Sequence, residues 1–197
     1  WLLPRIGRWR EQHPALPLEI DASMHVVDLV REGFHAAVRQ GIGPWAGLAS
    51  ERLFEQPSFI VVGAPSAARM LAGAQPEAFA REPLLGDSAL WKAWFSAAGL
   101  RVNATTVATF NDAGLMLQAV EQNLGLALAR EIHAADALVD GRLVRLSPVA
   151  VAHVDAQPYH LVYPPALGDW PPLDAFRRWL RDELDQSMAA LHRSEAA

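Results

Sequence analysis

The sequence predicts an α/β fold, and three observations carry that prediction. Segments with helical spacing and segments with strand character alternate along the chain. Half of the residues (51%) are apolar and only 20% are charged, so the chain can bury a core and is not disordered. The chain closes on a long amphipathic helix, with Leu173, Phe176, Leu180, Leu184, Met188 and Leu191 on one stripe. Alternation of this kind implies parallel strand pairing. The 197 residues suit one large domain or two small lobes.

The elements follow in order. Leu2, Ile6 and Trp9 give residues 1–12 near-helical spacing, and His13-Pro14 ends the segment because a residue before proline avoids the helical region. Residues 16–20 alternate like a strand. A short helix over 26–32 is closed by Gly33, and a strand over 35–39 ends at Gly41. Residues 41–47 are a loop rich in Gly and Pro. Residues 50–64 are strand-like with a bend at Gln56-Pro57. Helices are predicted over 65–71 and 76–81, the first opened by Pro65. Leu84-Leu85 runs into the turn Gly86-Asp87-Ser88, and a helix over 91–98 stops at Gly99. Thr105 to Phe110 is rich in β-branched residues and reads as a strand. A helix over 113–122, a buried strand over 126–129, a helix over 131–138 and a turn at Asp140-Gly141 follow. Strands over 149–154 and 159–163 precede the final helix, which Pro171-Pro172 introduces.

Bulk chemistry excludes several classes. The chain has no cysteine, so disulfides, thiolate catalysis and cysteine metal sites are out, which fits a cytoplasmic protein. No apolar run approaches the ~20 residues needed to span a bilayer, and no signal peptide opens the chain, although it begins at Trp1 rather than Met. The net charge is −5. Arg5, Arg8 and Arg10, like Arg177, Arg178 and Arg181, alternate with acids and read as solvated faces. The chain alone is therefore not expected to bind nucleic acid. Asp182-Glu183 reads the same way.

Catalytic motifs are weak. Gly86-Asp87-Ser88 resembles an esterase block, but no histidine stands at the spacing that family uses to activate its serine. The seven histidines (His13, His25, His35, His133, His153, His160 and His192) have no close pairing of zinc-site type, and no phosphate-cradling glycine loop occurs. No enzyme, metal or cofactor is expected. Phe110-Asn111-Asp112-Ala113 joins a strand to a helix. An Asn or Asp there is a plain N-cap, or its N–H groups seat an anion or polar ligand.

Several blocks, in order, resemble the effector-binding domain of LysR-type transcriptional regulators. They are Trp1 to Arg5 with His13-Pro14, Asp28 to Arg39, Gly43 to Leu48, Leu84 to Asp87 with Trp91 to Leu100, and Phe110 to Val120 with Gly125 to Ala129. The later blocks are similar to the subgroup of glycine-cleavage activators and β-lactamase regulators. Asn123 stands where that subgroup usually has glycine, and Asn tolerates the left-handed conformation next best. The resemblance implies two Rossmann-like lobes joined by two crossover strands, as in type 2 periplasmic binding proteins. Lobe I takes 1–60 plus 162–197 and lobe II takes 61–161. A small-molecule effector, with a carboxylate among the groups it could carry, is implied to bind between the lobes, with homodimers or tetramers reaching DNA through a helix-turn-helix head absent from this chain. The family's first strand and the turn before it are also absent, which implies a natural protein longer than this sequence.

The resemblance nominates six effector residues. Ser23 follows the second strand and is otherwise a turn serine. Arg39 offers a fork to a carboxylate, or an inter-lobe ion pair. Asp87 meets an amine or hydroxyl, or stabilises its turn. Asn111 and Asp112 are the capping pair. Tyr159 matches an effector-contacting position in the β-lactamase regulators, or packs at the hinge. Trp45 is a cleft wall or an ordinary packed tryptophan. The alternative function is a freestanding solute-binding protein serving transport.

Overall fold

A computed structural model describes residues 1–54, 58–152 and 157–195. The helices, in chain order, are α1 Ile6–Gln12, α2 Leu29–Glu32, α3 Pro65–Met70, α4 Pro76–Phe79, α5 Ser88–Ala97, α6 Ala113–Glu121, α7 Glu131–Val139 and α8 Pro171–Glu195. The strands are β1 Ala37–Gln40, β2 Ala49–Phe54, β3 Ser58–Gly63, β4 Leu84–Leu85, β5 Leu126–Arg130, β6 Val144–Ala152 and β7 Tyr159–Tyr163. The bend at Gln56-Pro57, His153 and the end of the strand predicted over 149–154 lie outside the described residues. Two compact units emerge. One comprises Leu2–Gln56 and Gln157–Gln186; the other comprises Trp1, Pro57–Ala156 and Ser187–Ala197.

The smaller unit holds a three-stranded sheet in the order β1-β7-β2. Both pairings are antiparallel, against the parallel pairing expected. The loop 41–48 carries the chain back so that β1 and β2 run the same way, and β7 returns between them, antiparallel to both. Residues 16–20 form no strand: Pro17 has no N–H to give, and the Leu16 carbonyl accepts from the Trp9 indole at 2.7 Å. Helix α2 begins only at Leu29, because the Asp28 carboxylate caps the Arg31 N–H at 3.2 Å. Gly33, at φ 77°, ends it in the left-handed conformation that costs glycine nothing.

Two charged segments predicted as solvated faces are instead partly buried. Arg5 is 3% exposed and Glu183 only 2%. The Arg8 Nε donates to Glu183 Oε1 at 2.8 Å, a second Arg8 nitrogen bonds the other oxygen, and Arg5 Nε stands 3.5 Å from that oxygen. Helix α1 thus sits over the apolar stripe of α8, at the position where that stripe carries Glu183. Arg177 and Arg181 both pair with Glu51 of β2, whose carboxylate also accepts from the Tyr163 hydroxyl at 2.6 Å. Burial pushes Glu51 up, but Tyr163 and Arg177 outweigh it and hold the carboxyl below its ordinary value. Arg178 is exposed, in an i,i+4 pair with Asp174, and Arg181 keeps about half of its side chain in water while it pairs with Glu51.

The larger unit holds a four-stranded sheet in the order β4-β5-β3-β6. Strand β3 is antiparallel to β5 and β6, and only β4 and β5 pair in parallel. Thr105 to Phe110 contributes a single bridge, Leu85 to Ala108, rather than a strand. Its partner β4 has two residues, so the ladder ends after the Val107 N–H meets Leu84 and the Gly86 N–H meets Ala108, both at 2.8 Å. The core is aromatic: Trp91, Trp94 and Phe95 are fully buried, with Phe79 stacked on Trp94 at 5.6 Å. Both α5 tryptophans anchor the helix, Trp91 Nε1 to the Leu85 carbonyl at 2.9 Å and Trp94 Nε1 to the Val149 carbonyl at 3.0 Å. Gly125 opens β5 so close to the preceding strand that a Cβ there would lie 2.4 Å from the Pro83 carbonyl oxygen.

Candidate functional site

Each sheet gathers chemistry at one end. In the four-stranded sheet, β4, the Ala108 bridge and β5 run the same way, and each leads into a helix: α5, α6 and α7. Three helix N-termini, with their unpaired N–H groups and positive dipole ends, therefore follow one edge of the sheet. This is the edge where open α/β sheets bind ligands.

Asp87 and Asp112 stand there as N-caps. The Asp87 carboxylate accepts from the Ala89 N–H at 2.7 Å, and Asp112 from the Leu115 N–H at 2.8 Å. Both side chains are exposed, as is Asn111. Each carboxylate thus serves its helix while retaining acceptor capacity, since an ionised carboxylate accepts at both oxygens. Ser88, the serine of the esterase-like block, opens α5 as an exposed residue.

Sequence reasoning missed two residues at this edge. Arg130 ends the otherwise apolar β5, is 5% exposed and lies over the Phe59 ring at 5.0 Å. His133 is in the first turn of α7. Burial foremost, with the charge of Arg130, brings its pKa down to about 4, so the imidazole is neutral near pH 7. A legible signal existed for Arg130: an arginine closing a run of small apolar residues immediately before a helix.

In the three-stranded sheet, the C-terminal ends of β1 and β2 meet the N-terminal end of β7. Arg39 is half-buried and donates to the Val27 carbonyl at 2.6 Å, tying β1 to the segment before α2. Ser23 lies in that exposed segment, its hydroxyl accepting from the His25 N–H at 3.0 Å in a local turn. Tyr159 stacks on Phe54 with ring centroids 4.9 Å apart. Register separates two of the nominated residues: Arg39 lies opposite His160, whereas Tyr159 lies opposite Gln40. Arg39 and Tyr159 therefore point to opposite faces of the sheet. Trp45 is half-buried and meets the His160 ring edge-on at 5.0 Å.

Two α/β units, with ligand-type residues collected at strand ends, define a small-molecule binding fold of the type 2 periplasmic-binding kind. The chain belongs to the LysR substrate binding domain family, whose sequence pattern it matches over residues 1–185. It is 33% identical over 184 residues to the HTH-type transcriptional activator AmpR of Pseudomonas aeruginosa, covering 91% of this chain and 60% of that protein. It is 27% identical over 187 residues to the glycine cleavage system transcriptional activator of Escherichia coli K12, covering 91% and 59%. The chain thus spans about three-fifths of the length of these relatives. Among solved structures, the effector domain of AmpR from Pseudomonas aeruginosa superposes with a TM-score of 0.73 at 31% identity, covering 98% of this chain and 92% of that one. The CrgA regulator of Neisseria meningitidis shares the fold, with a TM-score of 0.70 at 20% identity, covering 93% and 63%. These relatives are transcriptional regulators, and they lend no support to catalysis or to a role in transport.

Proposed function

We propose that this domain is the effector-sensing and oligomerisation module of a cytoplasmic transcriptional regulator, acting on DNA through a separate head as a homodimer or tetramer. The single observation that carries this reading is the near-complete superposition on the AmpR effector domain at 31% identity. Effector contacts are assigned to Asp87, Asn111 and Asp112 in the larger unit and to Ser23, Arg39 and Tyr159 in the smaller. Effector shifts the populations of two arrangements of the domain by its differential affinity for them, and that shift is read out at DNA. No transmembrane-type helix occurs among the described residues.

The test is a thermal-shift screen against amino acids, small carboxylates and cell-wall peptides. A ligand that binds only the folded state raises the melting temperature by mass action. The hit should be weakened by Arg39→Ala and by Asp112→Ala. It should also change the promoter affinity of the full-length regulator in gel-shift assays. A hit that leaves promoter binding and transcription untouched would remove the sensor reading.

A further inference from the structure

We propose that residues 17–27 of the smaller unit form a strap, fastened to β1 by Arg39, that opens and carries Ser23 with it while the sheet stays folded. Both ends of the strap are pinned. At one end the Leu16 carbonyl accepts from the Trp9 indole at 2.7 Å, and the Leu16 N–H donates to the His13 carbonyl at 2.9 Å. At the other the Asp28 N–H donates to Glu32 Oε1 at 2.9 Å, while the Asp28 carboxylate accepts from the Arg31 N–H at 3.2 Å. The stretch between is neither helix nor strand. Among the described residues, it makes no backbone–backbone hydrogen bond. Its hydrogen bonds there are two. One is internal, from the His25 N–H to the Ser23 hydroxyl. The other ties it to the sheet: Arg39 Nη2 donates to the Val27 carbonyl at 2.6 Å.

Burial adds little to that fastening. Leu18 and Val27 are half-buried, and the other nine residues are exposed, Met24 at 73% and Val26 at 81%. Segments with few buried apolar contacts and a solvated backbone open well below the free energy of global unfolding. Release also returns conformational freedom to a stretch that has no ladder to lose. Against this stands one charge-assisted hydrogen bond, of the stronger kind. Its donor is well held, because Arg39 is half-buried and its strand pairs with β7, opposite His160. Arg39 is therefore the anchor and the strap is the moving part. Ser23 has no bond of its own to the sheet among the described residues, so its place follows the strap. Arg39 thus acts on Ser23 as a positioning residue. The consequence for effector binding rests on the sensor reading above; the opening itself does not.

The experiment is native-state proteolysis of the full chain with thermolysin, which cuts before bulky apolar residues, with the cut sites read by mass spectrometry. Ile20, Met24 and Val26 report on the strap, and the exposed Leu124 reports on the larger unit. Arg39→Gln should speed strap cleavage roughly tenfold or more, as expected for a lost hydrogen bond to a charged group. Arg39→Lys, which keeps a cationic donor, should fall between. Cleavage before Leu124 should keep its rate in both. In the unsubstituted protein, strap cleavage should stay level in urea below the unfolding transition, because local opening exposes little surface. Circular dichroism checks that the variants fold, and the urea series decides the question if Arg39→Gln does not. Equal strap cleavage with and without Arg39, or strap cleavage that rises with urea in step with global unfolding, overturns the strap. A thermal-shift hit that leaves promoter binding untouched would remove the sensor reading and leave the strap standing.

Discussion

The larger unit fills its interior with rings, whereas the smaller unit threads carboxylates through its own. Trp91, Trp94, Phe95 and Phe79 interlock beneath the four-stranded sheet, and the two indole N–H groups donate to backbone carbonyls. The smaller unit joins its helices and sheet around Glu183 and Glu51, each held by arginines from another element. Apolar packing is insensitive to pH and salt. Buried ion pairs depend on both partners staying charged, and removing one leaves the other stranded. One chain thus contains two differently vulnerable regions.

That contrast can be broken by measurement. Trp94→Ala should have the largest effect, about 4 kcal/mol lost in urea unfolding, since it removes a large buried ring and leaves a cavity. Glu183→Ala should follow at about 3 kcal/mol, because Arg5 would remain buried without this carboxylate. Replacing the whole cluster (Arg5→Met, Arg8→Met and Glu183→Leu) should recover much of that loss. No recovery would mean that the cluster is more than a stabilising contact.

The pH dependence comes next. His133 has a folded pKa lowered to about 4 from an ordinary 6.5, so the unfolded chain binds more protons between those values. Stability should be level above that window and fall as pH drops through it, by up to about 2 kcal/mol for this partly exposed group. His133→Gln should flatten the slope. Glu51, whose pKa is lowered, contributes stability above its ordinary value of 4.5 that is lost as acid protonates the folded carboxyl. Asp112→Ala should cost about 1 kcal/mol as a lost helix cap. Arg178→Ala, on the exposed face of α8, should change stability by less than about 0.5 kcal/mol.

Local chemistry was legible in the sequence and long-range pairing was not. The stripe of α8, the breaker at His13-Pro14, the cap at Gly33 and the Asn111-Asp112 junction all depend on near neighbours. The antiparallel sheets were hidden because β7 reaches β1 only after most of the chain has passed. Glu183 and Arg5 resembled surface charges because nothing in either segment records that α1 lies on α8. The candidate residues were legible as residues, but not their grouping. Only the register shows that Arg39 lies opposite His160 and faces away from Tyr159.

The crowding at Gly125 has a consequence for variation in this domain. The chain passes the Pro83 carbonyl with no room for one further carbon, and the Leu126 N–H bonds that same oxygen at 2.8 Å. Its neighbour Leu124 is 60% exposed. A library randomised across 124 and 125 and selected for folded protein should return nearly any residue at the first position and glycine alone at the second. Drift could therefore rewrite the surface of this corner freely while one codon stays fixed.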